Sequence, residues 1–420
     1  MSKELREPWE KLRLPLAQTT RDALTLTIIA LASRLVCIWK APQVASSSDS
    51  RLYLTLAKNL VYHHVFSMDQ GAGALSPTAL RPPLYPSLIA ALWWGEAAPV
   101  TATLALQAAL SAAIVTLVYL TARDQFGRTT AILAAVGMIL ARMSCIYTGL
   151  ILTETLFTFL IALGVFLWGR RRPIPAGVAF GLAALTRTTI VPFLLVLFLM
   201  PLLPKWRGRW REYVLIGVAS LAVTSIWVAR NGVVFGRFIP VQESGFGQNL
   251  LFGTFETRPL RGQIWNGREW TSDQDAHPLV SAGEELDGMQ RERFRTRLAL
   301  GRITGDPLRW LAARAQQYPR LFMDDSVIYQ NEPPLLVVKG ILFHLLNLVI
   351  VALAAFGVFI ERGRLVALSH ITLFPAFMLL IHLPLWVEPR YGLPIVPMLA
   401  TLAAVGSLRL LERLRARVIS

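Results

Sequence analysis

The sequence predicts an all-α polytopic membrane protein of about ten transmembrane helices, with an amphipathic juxtamembrane helix and an extracytoplasmic subdomain. Three observations carry that expectation. Of 420 residues, 54% are hydrophobic and only 16% charged. Apolar runs recur at close to the length an α-helix needs to cross about 30 Å of hydrocarbon. The basic residues gather in the short links between those runs. A soluble chain of this length would need several charged surfaces, and the composition does not supply them.

Taken in order, the expected spans are 22–40, 104–122, 129–147, 152–169, 174–187, 190–203, 213–229, 336–360, 365–383 and 393–410. The stretches Leu104 to Leu120 and Val214 to Ala229 contain no charged residue. The first apolar run begins near Ala23 without a small-residue cleavage site, so it is expected to remain as a helix and not to leave as a signal peptide. Spans five and six are short and read as a hairpin whose tip, Thr186 to Thr189, sits below the outer surface. Leu84 to Trp94 is also short and flanked by prolines, which suits a re-entrant or interfacial helix. The two cysteines, Cys37 and Cys145, fall in or beside apolar segments and read as small buried hydrophobes.

The formal charge of +16 raises nucleic acid as a partner, but its distribution argues otherwise. The positive clusters are Lys3, Arg6, Lys11 and Arg13; Arg123 and Arg128; Arg170 to Arg172; Lys205, Arg207, Arg209 and Arg211; Arg362 and Arg364; and Arg413, Arg415 and Arg417. If the helices alternate, all of them lie on one side, which the positive-inside rule makes cytoplasmic. The expectation is a multi-pass protein of the cytoplasmic (inner) membrane with both termini cytoplasmic, its basic rim facing membrane lipids and no nucleic acid bound. Two loops then lie outside, about 41–100 and about 231–334. The second carries as many acidic as basic residues and reads as a folded subdomain. The chain divides accordingly into an N-terminal transmembrane module, 1–230, the extracytoplasmic segment 231–334, and C-terminal helices, 335–420.

Within the first outer loop, Leu52, Leu56 and Leu60 recur at helical spacing while Arg51, Thr55, Lys58, Asn59 and His63 fall towards the other side. That pattern predicts an amphipathic helix on the outer leaflet. Asp49 stands at its start, where a carboxylate also serves as a helix N-cap. Arg81 follows in Leu80-Arg81-Pro82-Pro83-Leu84-Tyr85-Pro86, held by an extended proline-rich backbone at the water–lipid boundary. It either snorkels to headgroups or clamps a phosphate through its planar fork. The histidines His63, His64, His277, His344 and His382 show no metal-ligand spacing, so no metal and no cofactor are predicted.

The order of several motifs resembles the multispanning GT-C glycosyltransferases that use polyprenyl-phosphate sugars, in particular the bacterial branch of protein O-mannosyltransferases and lipid A aminoarabinose transferases. The resemblance rests on the acidic residue of the first outer loop with Tyr53 and Ala57 behind it, then Pro77-Thr78-Ala79-Leu80-Arg81-Pro82-Pro83-Leu84-Tyr85-Pro86. It continues through Leu152-Thr153-Glu154-Thr155-Leu156-Phe157, Gly181-Leu182-Ala183-Ala184-Leu185-Thr186-Arg187, Trp227-Val228-Ala229-Arg230-Asn231, and Phe235-Gly236-Arg237-Phe238-Ile239-Pro240. Glu388-Pro389-Arg390-Tyr391-Gly392-Leu393-Pro394 closes it. The match covers most of the first 255 residues, whereas 259–334 resembles nothing familiar.

What the resemblance implies is a GT-C-like bundle that transfers a sugar from a polyprenyl-phosphate donor to a glycan, lipid or protein acceptor at the outer face, by an inverting mechanism. It places the base at Asp49, with Glu154 as a second carboxylate. Glu154 also suits the dipole of a helix start. The donor phosphate falls to Arg81, Arg187 and Arg390 with Tyr391, and the donor or acceptor pocket to Arg51, Tyr53 and Tyr85. Arg187 interrupts an uncharged stretch and so requires an anionic partner, either the phosphate or one of the carboxylates Glu154 and Asp49. Tyr391 reads equally as an interfacial aromatic. A single Asp49 where some relatives carry an acidic pair weighs against a metal-dependent variant. The rival class is a lipid or glycolipid transporter or flippase, which would show paired halves with matching broken helices. No such repetition is visible in this sequence.

Overall fold

The computed structural model describes residues 7–40, 48–70, 73–243, 245–255, 279, 283–322 and 334–419. Part of the second outer loop, with His277, and the start of the first, with Ser46 and Ser47, lie outside the described residues, as do the side chains of the first basic cluster. Among the described residues the secondary structure is helical throughout, without strands.

Sixteen α-helices follow in order: α1 Glu7–Lys40, α2 Ser48–His63, α3 Leu84–Ala91, α4 Val100–Phe126, α5 Arg128–Leu140, α6 Arg142–Thr148, α7 Glu154–Gly169 and α8 Pro173–Ala184; then α9 Val191–Leu199, α10 Trp210–Phe235, α11 Phe246–Phe252, α12 Gly288–Gly305, α13 Pro307–Gln317, α14 Pro334–Ile360, α15 Ser369–Ile381 and α16 Val396–Ile419. Each expected apolar segment coincides with a helix or a broken helix. Among the described residues five helices are long and apolar enough to cross a membrane, and the pair α5 and α6, bent by 53°, makes a sixth crossing when taken as one. The other four expected segments are shorter apolar helices, 154–169, 173–184, 188–202 and 369–381. Twelve residues of α8 rise only about 18 Å at 1.5 Å per residue. α7 is buried from its Glu154 end and α8 towards Ala184, so at that end of the bundle protein surrounds both short helices.

Close backbone approach holds the bundle where lipid removes the hydrophobic drive for helix pairing. A Cβ on Gly177 would lie 2.4 Å from the Ile216 carbonyl oxygen, and one on Gly181 2.9 Å from that of Ser220, so α8 and α10 meet through a small-xxx-small face. The Ser220 hydroxyl donates across this contact to the Gly177 carbonyl at 2.9 Å. Between α7, α8, α9 and α15, the rings of Trp168, Phe180, Phe193 and Phe374 meet edge to face in sequence, with centroids 6.4, 6.1 and 5.3 Å apart.

The break between α5 and α6 has an identifiable cause. Ala141 is extended, with φ −62° and ψ 97°, which frees carbonyls at the end of α5. Arg34, fully buried near the end of α1, answers them: Nη2 donates to the Met138 carbonyl at 2.9 Å and Nη1 to that of Ile139 at 3.0 Å, while Nε donates to Ser111 Oγ at 2.9 Å. A charged side chain here replaces lost helix hydrogen bonds. Just beyond the break, Cys145 on α6 is joined to Cys37 on α1 by a disulfide, with Cα atoms 5.9 Å apart. This corrects the reading of both cysteines as small buried hydrophobes. The bend of α5 into α6 brings position 145 against the end of α1, a juxtaposition that no local sequence pattern announces.

Ion pairs collect at the opposite end of the bundle. Arg128 reaches Asp22 at 2.6 Å, Arg170 reaches Asp124 at 2.8 Å, and Glu212 is shared by Arg209 at 2.5 Å and Arg171 at 3.1 Å.

The segment between α10 and α14 docks through buried polar contacts. Arg314 of α13 donates to the backbone carbonyls of Leu383 at 2.6 Å and His382 at 3.1 Å and to Gln317 Oε1 at 2.6 Å. Burial lowers the Arg314 guanidinium to about 10, which is still protonated at neutral pH. Leu321 lies so close to Gly392 that a Cβ there would sit 2.2 Å from the Leu321 carbonyl oxygen. The residues after α13 thereby bear on the turn that carries Arg390.

Candidate functional site

Asp49 lies in the first turn of α2. Its two carboxylate oxygens are taken by arginines from remote parts of the chain: Oδ1 accepts from Arg81 Nη2 at 3.0 Å and Oδ2 from Arg390 Nη1 at 3.1 Å. Burial pushes the Asp49 carboxyl up, but Arg390 and then Arg81 outweigh it, and the net direction is below the ordinary value.

The α2 helix that presents Asp49 differs from its expected form. Leu56 is fully buried, yet Asn59, expected on the solvent side, is buried too and donates from Nδ2 to the carbonyls of Ser67 and Asp69, both at 2.9 Å. The chain turns back after α2, and those carbonyls need a donor that a leucine lacks. Leu52 and Leu60 are only half-buried. The helix packs on protein, including α3, instead of lying on lipid alone.

Arg81 is held by its backbone. The Thr78 N–H donates to the Phe66 carbonyl at 2.9 Å, the Glu243 N–H to the Ala79 carbonyl at 3.0 Å, and the Leu84 N–H to the Leu185 carbonyl at 2.9 Å. The proline-rich strap is thus stitched to α8 and to the segment after α10, with the Arg81 fork directed at Asp49. Its Nε is buried without a partner.

Glu154 opens α7, with its side chain only 2% exposed. Arg187 Nη1 donates to Glu154 Oε1 at 2.7 Å and to Thr153 Oγ1 at 3.0 Å. Arg187 therefore takes the carboxylate partner that its position in an apolar stretch demands. It sits in extended backbone, φ −147° and ψ 127°, at the tip of the short hairpin between α8 and α9. Glu154 Oε2 is buried and has no partner. Gln107, in α4, fixes the approach to α7 by donating to the carbonyls of Thr148 at 2.9 Å and Leu150 at 2.7 Å.

Arg390 joins the two halves of the cluster. Besides Asp49, its Nε lies 2.5 Å from Glu388 Oε2 and 3.9 Å from Glu154 Oε1. The Tyr391 ring packs against both Arg187 and Arg390, each guanidinium carbon 5.6 Å from the ring centroid. Three carboxylates and three guanidiniums thus occupy one site, with formal charges that cancel.

The other expected residues divide. Tyr53 is buried beside Tyr85, ring centroids 5.2 Å apart and edge to face, and Tyr85 donates to Gln107 Oε1 at 2.7 Å. Burial raises the Tyr53 hydroxyl above its ordinary value, so it stays protonated. Arg51 is exposed on α2, and the structure does not bring it into the cluster. Glu388 is the member that sequence reasoning passed over, although it stands two residues before Arg390 in the same motif. Among the described residues no group of three or more His, Cys, Asp or Glu side chains is placed to hold a metal ion.

No protein-family model matches the sequence, and no curated protein matches it. Solved structures do. Over 95% of its length the chain superposes on the oligosaccharyltransferase of Archaeoglobus fulgidus tethered with an acceptor peptide containing the NVT sequon, at 14% identity and a TM-score of 0.59. Over 96% it superposes on the same organism's AglB in complex with an inhibitory peptide and a dolichol-phosphate, at 14% identity and 0.53. It covers 50% and 51% of those two chains, so it spans about half their length. ArnT from Cupriavidus metallidurans bound to undecaprenyl phosphate is similar at 13% identity and a TM-score of 0.39, over 92% of this chain and 77% of that one, a likeness too slight to add to the assignment. The fold shared with the oligosaccharyltransferases is the GT-C fold.

Proposed function

We propose that this chain is a membrane glycosyltransferase that moves a sugar from a polyprenyl-phosphate donor to a hydroxyl or amine of an envelope glycan, lipid or protein. The reaction takes place on the outer side of the cytoplasmic membrane, with both termini inside. The observation that carries the reading is the convergence of Asp49, Arg81 and Arg390 in one contact, with Arg187 beside them, at one end of a GT-C bundle. A basic rim at the other end supports the orientation.

Asp49 is the base. The acceptor's lone pair attacks the anomeric carbon opposite the phosphate, the carbon–oxygen bond to phosphate breaks with its electron pair leaving on that oxygen, and the acceptor proton passes to Asp49. Arg81, Arg187 and Arg390 surround the departing phosphate, where fixed donors aimed at developing negative charge supply the largest catalytic contribution. In the ligand-free arrangement these arginines are held by Asp49, Glu154 and Glu388. Donor phosphate competes for the same forks, and each guanidinium it draws away from Asp49 leaves that carboxylate a stronger base. Binding of the donor therefore prepares the base for the acceptor.

The test is Asp49→Asn in protein shown to be inserted and folded. A base of this kind contributes about 10²–10⁴ in rate, and a loss of that size is expected. Full transfer activity in the variant overturns the assignment.

A further inference from the structure

A groove of about 450 Å³ opens beside the charged cluster, between Thr188 at the tip of the short hairpin, the segment after α10, and α12. That volume lies within the range of about 300–1,000 Å³ typical of small-molecule sites. Thr188 follows Arg187 directly, so one end of the groove abuts the backbone that carries Arg187, and α12 forms the other wall. Its walls are fixed. Asp287 caps α12 by accepting from the Gln290 N–H at 2.8 Å. Gly247 lies flush against α12, where a Cβ would sit 2.4 Å from the Glu292 carbonyl oxygen.

With Glu243 paired to Arg237, the groove carries one net positive charge, Arg293 and Arg297 against the single carboxylate of Glu292. Glu292 Oε2 accepts from the Gly247 N–H at 2.6 Å. Arg293 and Arg297, four residues apart and so on one face of α12, have no acidic partner among the described residues; Arg293 touches only Met289 Sδ, at 3.5 Å. Phe246 stands at the edge with 58% of its surface exposed. An uncovered aromatic face, the side chains of Thr188 and Gln242, which share a 3.3 Å hydrogen bond, and two free guanidiniums form a set that matches one kind of molecule: a sugar bearing negative charge.

We propose that this groove is the acceptor subsite and that it takes an anionic saccharide, one carrying a carboxylate or a phosphate, with its ring on Phe246 and its charge on Arg293 and Arg297. The inference rests on the glycosyltransferase reading for the word acceptor. The donor, anchored in the bilayer, meets the arginine cluster at membrane level; the groove rises from that cluster into the aqueous segment, where a water-soluble partner arrives.

The experiment uses the full chain in lipid nanodiscs and titrates four ligands by calorimetry: a uronate trisaccharide, a singly phosphorylated trisaccharide, a neutral trisaccharide and undecaprenyl phosphate. One of the charged trisaccharides is expected to bind about tenfold or more tighter than the neutral one, and which of them binds identifies the source of the charge. Arg293→Ala combined with Arg297→Ala is expected to weaken that binding by about tenfold or more while undecaprenyl phosphate binds as before, which also certifies the fold. Equal binding of the neutral trisaccharide, no binding of either charged one, or an unaffected double variant overturns the proposal. Failure of undecaprenyl phosphate to bind the unaltered chain overturns the glycosyltransferase reading instead, and leaves the saccharide result standing on its own.

Discussion

Arg390 donates to Asp49 across 3.1 Å of space and 341 residues of sequence. The first outer loop is thereby tied to the turn before the last helix, and the base of the proposed reaction is closed by the cation that must also receive the phosphate.

One consequence concerns binding apart from turnover. Asp49→Asn removes a competitor for Arg81 and Arg390, so undecaprenyl phosphate is expected to bind the variant about tenfold tighter even as transfer is lost. Titration of lipid phosphate into both proteins checks it, and weaker binding by the variant contradicts the competition.

Arg187→Ala leaves Glu154, 2% exposed, with only the 3.9 Å approach of Arg390 in place of its 2.7 Å ion pair. Removing one member of a buried pair costs about 3–5 kcal/mol, and a cost at the lower end is expected because Arg187 is itself 21% exposed. Arg187→Ala with Glu154→Gln is expected to recover most of the thermal midpoint in detergent but none of the transfer activity. Recovery of both would make Arg187 a structural residue only.

The direction of the Asp49 shift fixes a pH response. Because its folded value lies below the ordinary one, the ion-pair stabilisation is fully present above about pH 4 and is lost as pH falls through the depressed value. The stability of the ligand-free protein is therefore expected to show no acid limb from Asp49 between about pH 5 and pH 7. With Arg390 removed, the largest influence that lowers Asp49 is lost and its titration moves up. A pH series of thermal midpoints for the native chain and Arg390→Ala reads this shift directly.

The Cys37–Cys145 disulfide closes a loop with a sequence separation of 108 residues. Replacing both cysteines with serine is expected to lower stability by about 2–4 kcal/mol and to abolish the mobility difference between reduced and unreduced protein in gels. An unchanged thermal midpoint would show that the bridge bears no load.

Much of this arrangement was legible in the sequence because two signals act at long range by simple rules. Hydrophobic length located the helices, and alternation placed Asp49, Arg81, Arg187 and Arg390 at one end before any contact was known. What stayed hidden depended on rotation and register. Arg51, two residues after Asp49, points away because about 200° of helical turn separates the two positions. Glu388 was overlooked beside Arg390 because an acid next to an arginine reads as local neutralisation until the turn is seen to bring Asp49 and Glu154 to the same cation. Arg34 carried a clearer sign: a lone arginine in the first apolar run had to find partners, and carbonyls freed by a broken helix serve as well as a carboxylate.

The bridge between α1 and α6 also bears on how the chain is made. In the proposed orientation, Cys145 can reach Cys37 only once α4 and α5 have been synthesised and the start of α6 has emerged on the side where thiols are oxidised. The covalent bond therefore requires α1 and α6 to have met, and it ties the N-terminal helices together independently of the contacts that α7 to α16 make.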